Sequence, residues 1–552
     1  MTDHRRPALA PPNRRLFLLL LTLAAFGWRI VALDFQSLWR DEVDAIYFAV
    51  RDLGETLSMI WRAGQNGPLY FLSLRPWFGL VGTSEFALRF PSTAFSTLSV
   101  LLTFFVAERL LPAPTAPPVT GVPQPDSAAE PTATPSPGAF SPMVPWLAAL
   151  LMAANPYQVW YAQEGKMYAA VTLLALVASW FWLRGMAGDG RRFWWGYWAT
   201  VTVAMYTHLL MILLIPVHVI WTLIARPQAR GQRGYLAALA GLTLPYLPMV
   251  VWQWQMLVSA TRMTGFTFTP LDAMLGSLLL NHSRGFAPTP VLWLMAPLYF
   301  LLGAGFFLGI TEIGSRWTGR NRPADEEQAG WTLAPWRRWL LLASWLVLPV
   351  IFIYGLSLRQ PVFTERYIIW IAPAAMMFVA LGITVLARSA DRWGPAVTTI
   401  LLIYLLSLWG FLGLQQKQLV IKYDLRNSAG YIHRQRDPQQ LLILQIPHME
   451  WSYRYYSSDF GPRPFDGSDP RLGVWAKGIY TNWGEPDEPA RASVATQMEQ
   501  LTQGHRNIWV LLSEVEMWDQ RRLMDEWLAA HGRIIEQVDF PGARVVRYEL
   551  LD

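Results

Sequence analysis

The chain has 552 residues, of which 53% are hydrophobic and only 15% charged, against about 25% charged in an average soluble domain, more apolar surface than a soluble particle of this size can hide. Its net charge of +6 sits largely on arginines beside apolar runs, a pattern of membrane orientation and not of nucleic-acid binding. The absence of cysteine excludes disulfides, thiolate nucleophiles and Cys-based metal sites, so any chemistry falls to carboxylates, His, Lys, Arg, Tyr or a metal held by oxygen and nitrogen.

About 20 mostly apolar residues cross a bilayer as a helix. The first such run, Leu16–Leu33, lacks a small-residue cleavage site and reads as an uncleaved anchor. Eleven spans are predicted, at roughly 15–34, 86–108, 143–158, 168–185, 193–207, 208–225, 235–256, 290–312, 338–357, 367–387 and 394–415. Arg5, Arg6, Arg14 and Arg15 precede the first, which puts the N-terminus in the cytoplasm. Alternation then places four further arginine groups inside: Arg184, Arg191 and Arg192; Arg226, Arg230 and Arg233; Arg316, Arg320, Arg322, Arg337 and Arg338; Arg388 and Arg392.

Between the first two spans, Gly67–Gly82 is apolar but short, with Arg75-Pro76 in its middle, and reads as an amphipathic helix in the outer interface. Asp41–Trp61 reads the same way, with Val43, Ile46, Tyr47, Val50, Leu53, Leu57 and Ile60 at helical spacing. The first external loop is therefore expected to hold two interfacial helices. Residues 112–142, rich in Pro, Ala, Thr and Ser, are expected to form a disordered cytoplasmic insert. Residues 257–289 are expected to be a longer external loop carrying Arg262, His282 and Arg284.

The composition turns polar after the last span. The expected division is a membrane helical bundle over 1–415 and a small external α/β domain over 416–552. That domain has strand-like runs Leu441–Gln445, Asn507–Leu512 and Arg544–Tyr548, a helix over Glu514–His531, and no visible catalytic signature.

Four polar groups stand out, all on the external side. The first is Ser37-Leu38-Trp39-Arg40-Asp41-Glu42, with Asp44 following; acids at a membrane surface mark a site or an interfacial helix start. The second lies in Asn155–Tyr168, where Gln163, Glu164 and Lys166 stand among aromatics, either as a site or as an aromatic belt with a surface ion pair. The third is the tight turn Met205–His208. The fourth is Arg359 with Thr364-Glu365-Arg366-Tyr367, where arginine suits phosphate and Thr364 suits a helix cap. A one-sided set of carboxylates and cations at the lipid boundary suits a substrate with a lipid tail and a charged head.

In chain order these motifs resemble the GT-C glycosyltransferases, in the branch of the protein O-mannosyltransferases and bacterial aminoarabinose transferases. They are SLWRDE after the first span, GQNGPLYF, SEFALRFPS, YAQEGKMY, YTH and ERY, over about residues 15–385. The resemblance implies a cell-envelope membrane enzyme that moves a sugar from a polyprenyl-phosphate carrier to a lipid, glycan or protein acceptor on the non-cytoplasmic face. It implies Asp41 as base, with Glu42 beside it. Lys166, Arg366 and Arg359 would face the leaving phosphate, and Gln163, Glu164, Tyr168, His208 and Glu365 would line the substrate site. Some relatives carry a lysine before the proline of the second interfacial helix, where this chain reads Gln65-Asn66-Gly67-Pro68. Use of a divalent metal is left open, with Asp41, Glu42 and Glu164 as its oxygen ligands. Two other classes compete: a flippase of lipid-linked sugars, which would favour midplane ionisable groups and internal repeats, and a catalytically idle assembly protein.

Overall fold

Helices occupy each of the eleven apolar runs in the computed structural model, which describes residues 14–62, 65–112, 140–225, 229–258, 267–288, 292–317, 333–457, 472–479 and 487–551. Most of the 112–142 insert, and Arg262, lie outside the described residues.

The elements preceding the insert are α1 (Arg14–Ile30), α2 (Arg40–Val50), α3 (Leu53–Ile60), α4 (Pro68–Val81) and α5 (Glu85–Leu110). Then come α6 (Val144–Ala154), α7 (Pro156–Ala162), α8 (Tyr168–Met186), α9 (Arg191–Thr207), α10 (Leu214–Ala225), α11 (Ala229–Gly241) and α12 (Thr243–Val258). The bundle ends with α13 (Leu271–Arg284), α14 (Ala296–Trp317), α15 (Pro335–Ser357), α16 (Ala372–Ser389) and α17 (Gly394–Gln418).

Among the described residues six stretches are long and apolar enough to cross a membrane: Glu85–Leu110, Tyr168–Met186, Gly231–Gln255, Pro335–Ser357, Glu365–Ser389 and Asp391–Gln418. Val144–Ala154, Leu209–Ala225 and Leu292–Leu308 are shorter. The expected single span at 143–158 is broken because Asn155 ends α6 and caps α7, its side chain accepting from the Gln158 N–H, with Pro156 at the first helical position.

Three helices stand where two were expected between α1 and α5. Asp52 accepts from the N–H groups of Gly54 and Glu55 and starts α3 as a separate helix. Gly67 adopts φ 75° before Pro68 opens α4, and a Cβ there would lie 2.2 Å from Met167 Cε. The expected loop at 257–289 contains α13. Its Leu271, Met274, Leu275, Leu278 and Leu279 follow helical spacing.

α5 lies at the centre of the N-terminal half, against α1, α6 and α8, and α16 is buried against α14 and α6. Arg29 in α1 is fully buried and donates to the carbonyls of Met152 and Ala153 at 3.1 and 3.0 Å, and to Ser96 Oγ at 2.9 Å. Its guanidinium thereby caps the C-terminus of α6. At the start of α1 and the end of α5, Arg14 pairs with Glu108 and Arg109 with Asp189, both at 2.7 Å. Arg338 donates to the carbonyls of Arg109 and Leu110. A 26-residue helix is about 39 Å long, so these arginines stand at the end of the bundle remote from α2–α4.

The C-terminal elements are α18 (Leu425–Gln435), β1 (Leu441–Leu444), α19 (Glu450–Ser457), β2 (Trp475–Lys477), α20 (Asp487–Thr502), β3 (Asn507–Ser513), α21 (Val515–Trp518), α22 (Leu523–His531), β4 (Gly532–Phe540) and β5 (Ala543–Leu550). The sheet order is β2-β1-β3-β5-β4, with β2, β1 and β3 parallel and β5 antiparallel to both β3 and β4. Leu441 and Ile443 pack with α20 and α22, whereas Leu442 and Leu444 pack with α18 and α19. This alternation covers both faces and explains the uninterrupted apolar run of β1. The helix expected over 514–531 is two pieces, separated where Arg522 takes φ 51°.

Candidate active site

Trp39 is extended and α2 begins at Arg40, so Asp41 and Glu42 occupy its first turn, where free N–H groups and the helix dipole favour negative charge. Consecutive helical residues point about 100° apart. The two carboxylates therefore meet different surroundings.

Glu42 is fully buried. Its Oε1 accepts from Arg89 Nε at 2.8 Å and the Gly165 N–H at 2.7 Å. Its Oε2 accepts from Arg89 Nη2 at 2.9 Å and Lys422 Nζ at 2.8 Å. A carboxylate offers about four lone-pair sites, and here all are taken. Arg89 also donates to the carbonyls of Leu33, Gln36 and Ser37. Gly165 fits because any Cβ would lie 2.3 Å from Leu88 Cγ. Burial opposes the charge of Glu42, but Arg89 and Lys422 outweigh it and hold the carboxyl well below its usual range.

Asp41 is half-buried. Arg366 Nη2 lies 3.6 Å from its Oδ2, and Arg40 Nη2 lies 3.5 Å from its Oδ1. These distances are ion-pair contacts longer than hydrogen bonds, so the carboxylate keeps accepting capacity. Burial disfavours its charge, yet Lys166, Arg366 and Arg40 together keep its carboxyl below the ordinary value. Asp44, one turn on, is pushed up to about 6 by burial, with Asp41 adding to the rise and Lys166 opposing it.

The cations are held by aromatic rings. Arg366, from the short 3₁₀ helix Glu365–Ile371, lies 5.1 Å from the Trp39 ring and 5.5 Å from Tyr168. Lys166 lies 5.2 Å from the Phe71 ring. Such contacts favour a cation without neutralising it. His208 packs 4.8 Å from the Tyr367 ring and 6.3 Å from Tyr168. Its Nδ1 accepts from the Leu210 N–H at 3.2 Å, and its buried Nε2 has no hydrogen-bond partner among the described residues. Glu164 is also buried: Oε2 is 3.8 Å from Lys422, and Oε1 has no partner among the described residues. Burial and the neighbouring Glu42 push its carboxyl up, against the pull of Lys422.

Asp41, Lys166, Tyr168, His208 and Arg366 are thus brought into one cluster, with Glu42 and Glu164 beneath it. Gln163 instead clips the end of α1, donating to the carbonyls of Arg29 and Val31 at 2.7 and 2.8 Å. Glu365 accepts from Thr364 Oγ1 at 3.3 Å, so the Thr364 side chain does not cap the helix as expected. Arg359 is solvent-exposed just past α15. Among the described residues no three His, Asp or Glu side chains are grouped to hold a metal ion. Asp41, Glu42 and Glu164 do not form such a set, because Glu42 is fully occupied by protein donors.

Several participants escaped the sequence reading. Arg89 lies within SEFALRFPS, where a basic residue beside an apolar run was a visible signal. Lys422, Arg426, Tyr456 and Glu514 had none. Arg426 and Tyr456 both bond Glu85, the Leu38 N–H donates to Tyr456 Oη at 2.6 Å, and Trp451 stacks on Tyr47 at 3.7 Å. α18 and α19, which cover one face of the C-terminal sheet, are therefore seated on α2 and the start of α5.

The sequence matches no family model and no curated protein. Solved structures do match. ArnT from Cupriavidus metallidurans, bound to undecaprenyl phosphate, is 14% identical with a TM-score of 0.50, over 97% of this chain and 98% of that one. The archaeal oligosaccharyltransferase AglB from Archaeoglobus fulgidus, in complex with an inhibitory peptide and a dolichol-phosphate, is 11% identical with a TM-score of 0.52, over 96% of this chain and 74% of that one. Both are GT-C glycosyltransferases, and the likeness is one of fold across nearly the whole chain.

Proposed function

We propose that this chain, which has the GT-C fold, is a membrane glycosyltransferase that carries a sugar from a polyprenyl-phosphate donor to an acceptor hydroxyl, with Asp41 as general base. The observation that carries the reading is the contrast within one helical turn: Glu42 is saturated by donors, while Asp41 is half-buried, met only at ion-pair distance and open to accept. The acceptor O–H gives its proton to Asp41 as the oxygen attacks the anomeric carbon. The bond from that carbon to the phosphate oxygen breaks, the electron pair leaves on the phosphate, and the anomeric configuration inverts.

The departing phosphate gains charge and needs fixed cations, not a strong acid. Lys166 and Arg366 stand nearest the base for that role; Arg359 is the outer candidate. Glu164, Tyr168 and His208 line the space for the sugar, Gln163 and Glu365 bound it, and Glu42 supports the base by fixing its helix. The lipid phosphates bound to ArnT and AglB support a donor of this class. Arg14, Arg109 and Arg338 at the far end of the bundle support a cytoplasmic N-terminus, with the site and the 416–552 domain on the opposite face of the plasma membrane.

The test offers purified full-length chain a panel of undecaprenyl-phosphate-linked hexoses and pentoses with candidate acceptors, and reads products by mass spectrometry. Transfer that vanishes in Asp41→Asn while the protein stays monodisperse supports the base. Unchanged transfer in that variant removes it. Lipid-linked sugar crossing vesicles without any glycosylated product would point to transport.

A further inference from the structure

Glu514 follows β3 at the end of the sheet that faces α2. It is buried at 2% exposure and adopts φ 54°, a left-handed backbone that residues other than glycine and asparagine avoid. Observed strain of this kind is a pointer to function when the surrounding structure enforces it. Here the surroundings are ionic. Glu514 Oε2 lies 3.4 Å from Arg40 Nε and 3.7 Å from His448 Nε2. Arg40 in turn reaches Asp41, with Nη2 3.5 Å from Oδ1. A carboxylate of the C-terminal sheet, a guanidinium and the proposed base thus form one chain of contacts. α19, which packs on the sheet, is held against α2 by the Tyr47–Trp451 stack and by the Leu38 bond to Tyr456, so this contact lies within a continuous interface.

We infer that Glu514 is a positioning residue for Asp41, acting through Arg40, and that the C-terminal sheet completes the active centre. The inference rests on the reading of Asp41 as base. Arg40 has three acidic neighbours, Asp41, Glu514 and Asp44, and is shared among them. With Glu514 in place, Arg40 is drawn toward the sheet and stands off Asp41 at ion-pair distance. Without the Glu514 charge, the pull on Arg40 shifts from the sheet toward the α2 carboxylates, so that it closes on Asp41 to a charge-assisted hydrogen bond and occupies a lone pair that the acceptor proton needs. The base is then both less basic and less available. The donor phosphate, facing Lys166 and Arg366, is not part of this chain.

The experiment uses the full-length protein in lipid nanodiscs and whichever undecaprenyl-phosphate sugar the wild-type chain consumes. Glu514→Gln, nearly isosteric, is expected to lower kcat by ~10–100-fold with donor KM within about twofold, since small misplacement of reacting groups costs rates of that order. Glu514→Asp, which keeps the charge, is expected to recover most of the loss. Arg40→Gln/Glu514→Gln is expected to be no slower than Arg40→Gln alone, because the two act in series. Three results would overturn the inference: kcat unchanged in Glu514→Gln, a rise in donor KM with kcat intact, or equal loss of monodispersity in the Gln and Asp variants. Asp41→Asn, assayed in parallel, separates the two levels. If it retains transfer, the base reading fails; if it loses transfer while Glu514→Gln does not, only the role of Glu514 fails.

Discussion

Two adjacent carboxylates should give opposite phenotypes. Glu42→Gln keeps the side-chain shape but removes the charge that two cations face. Arg89 and Lys422 then face a neutral amide whose single oxygen replaces two carboxylate oxygens, with backbone carbonyls left for Arg89 and the more distant Glu164 for Lys422. Removing one partner of a buried ion pair costs ~3–5 kcal/mol, chiefly because the remaining charge is uncompensated. Asp41→Asn is different: its cations stand 3.5 and 3.6 Å away, at side-chain exposures near a fifth, and loosely paired, solvent-reached ions contribute ~0–1 kcal/mol. Thermal unfolding in detergent should therefore show a lowered midpoint for Glu42→Gln and nearly the wild-type midpoint for Asp41→Asn. Transfer per folded molecule should show the reverse order, with Asp41→Asn the lower. A Glu42→Gln protein as stable as wild type, or an Asp41→Asn protein less stable than Glu42→Gln, would refute the division of roles.

Arg366→Lys keeps the charge but loses the planar group held between Trp39 and Tyr168; transfer is expected to fall ~10–100-fold with little change in melting, because planar and point charges are not interchangeable at a stacked site. Asp44 has a carboxyl raised to about 6, above its unfolded value of ~3.9. Its neutral form is favoured by folding, so its contribution is fully present below the unfolded value and is lost as pH rises through about 6. Asp44→Asn should thus raise the unfolding midpoint relative to wild type at pH ~7.5 but not at pH ~4, as melts at the two values would show. Gly67→Ala places a Cβ against Met167 at φ 75°; a destabilisation of ~1–2 kcal/mol from the backbone alone, and reduced transfer through the displaced Lys166 loop, should be visible in melting and activity assays of the purified variant.

What was legible follows from how local the determining contact is. The apolar runs announced the helices at each of the eleven expected spans, because a lipid-facing helix needs only composition and length. They did not announce the break at Asn155-Pro156, which depends on one side chain capping a new turn. α13 carried its amphipathic spacing openly, but its polar flanks resembled a loop. At the site, Asp41 and Glu42 were visible as a pair, and their neighbourhood to Lys166, His208 and Arg366 followed from all lying at one end of the bundle. Which of the two was free was not visible, because charge pattern does not say which face of a helix turns inward. The deciding partners of Glu42 are 47 and 380 residues away, and no local pattern marks Lys422 or Glu514 for that purpose. The edge strands β2 and β4 were missed for a related reason: one is three residues long, and the other is largely exposed and carries charges.

The buried position of Glu42 also bears on why Asp41 remains usable. An internal ion pair adds little net stability over apolar packing of the same shape, because its desolvation cost offsets the attraction. What it does add is register, since a buried carboxylate tolerates no arrangement that leaves its donors elsewhere. Glu42 joins α2 to α5 through Arg89, to the 163–167 loop through Gly165, and to the segment after α17 through Lys422. The residues it ties together are those that deliver Asp41, Lys166 and Glu164. Rotating α2 to present Glu42 instead of Asp41 would strand two cations in the interior, so the helix has one allowed setting. In that setting the free carboxylate faces the stacked Arg366, and the C-terminal sheet must be seated for Lys422 and Glu514 to reach their partners. On this argument a chain truncated after α17 would lose the base's geometry as well as the sheet, and loss of transfer on truncation would not by itself distinguish acceptor binding from misplacement of Asp41.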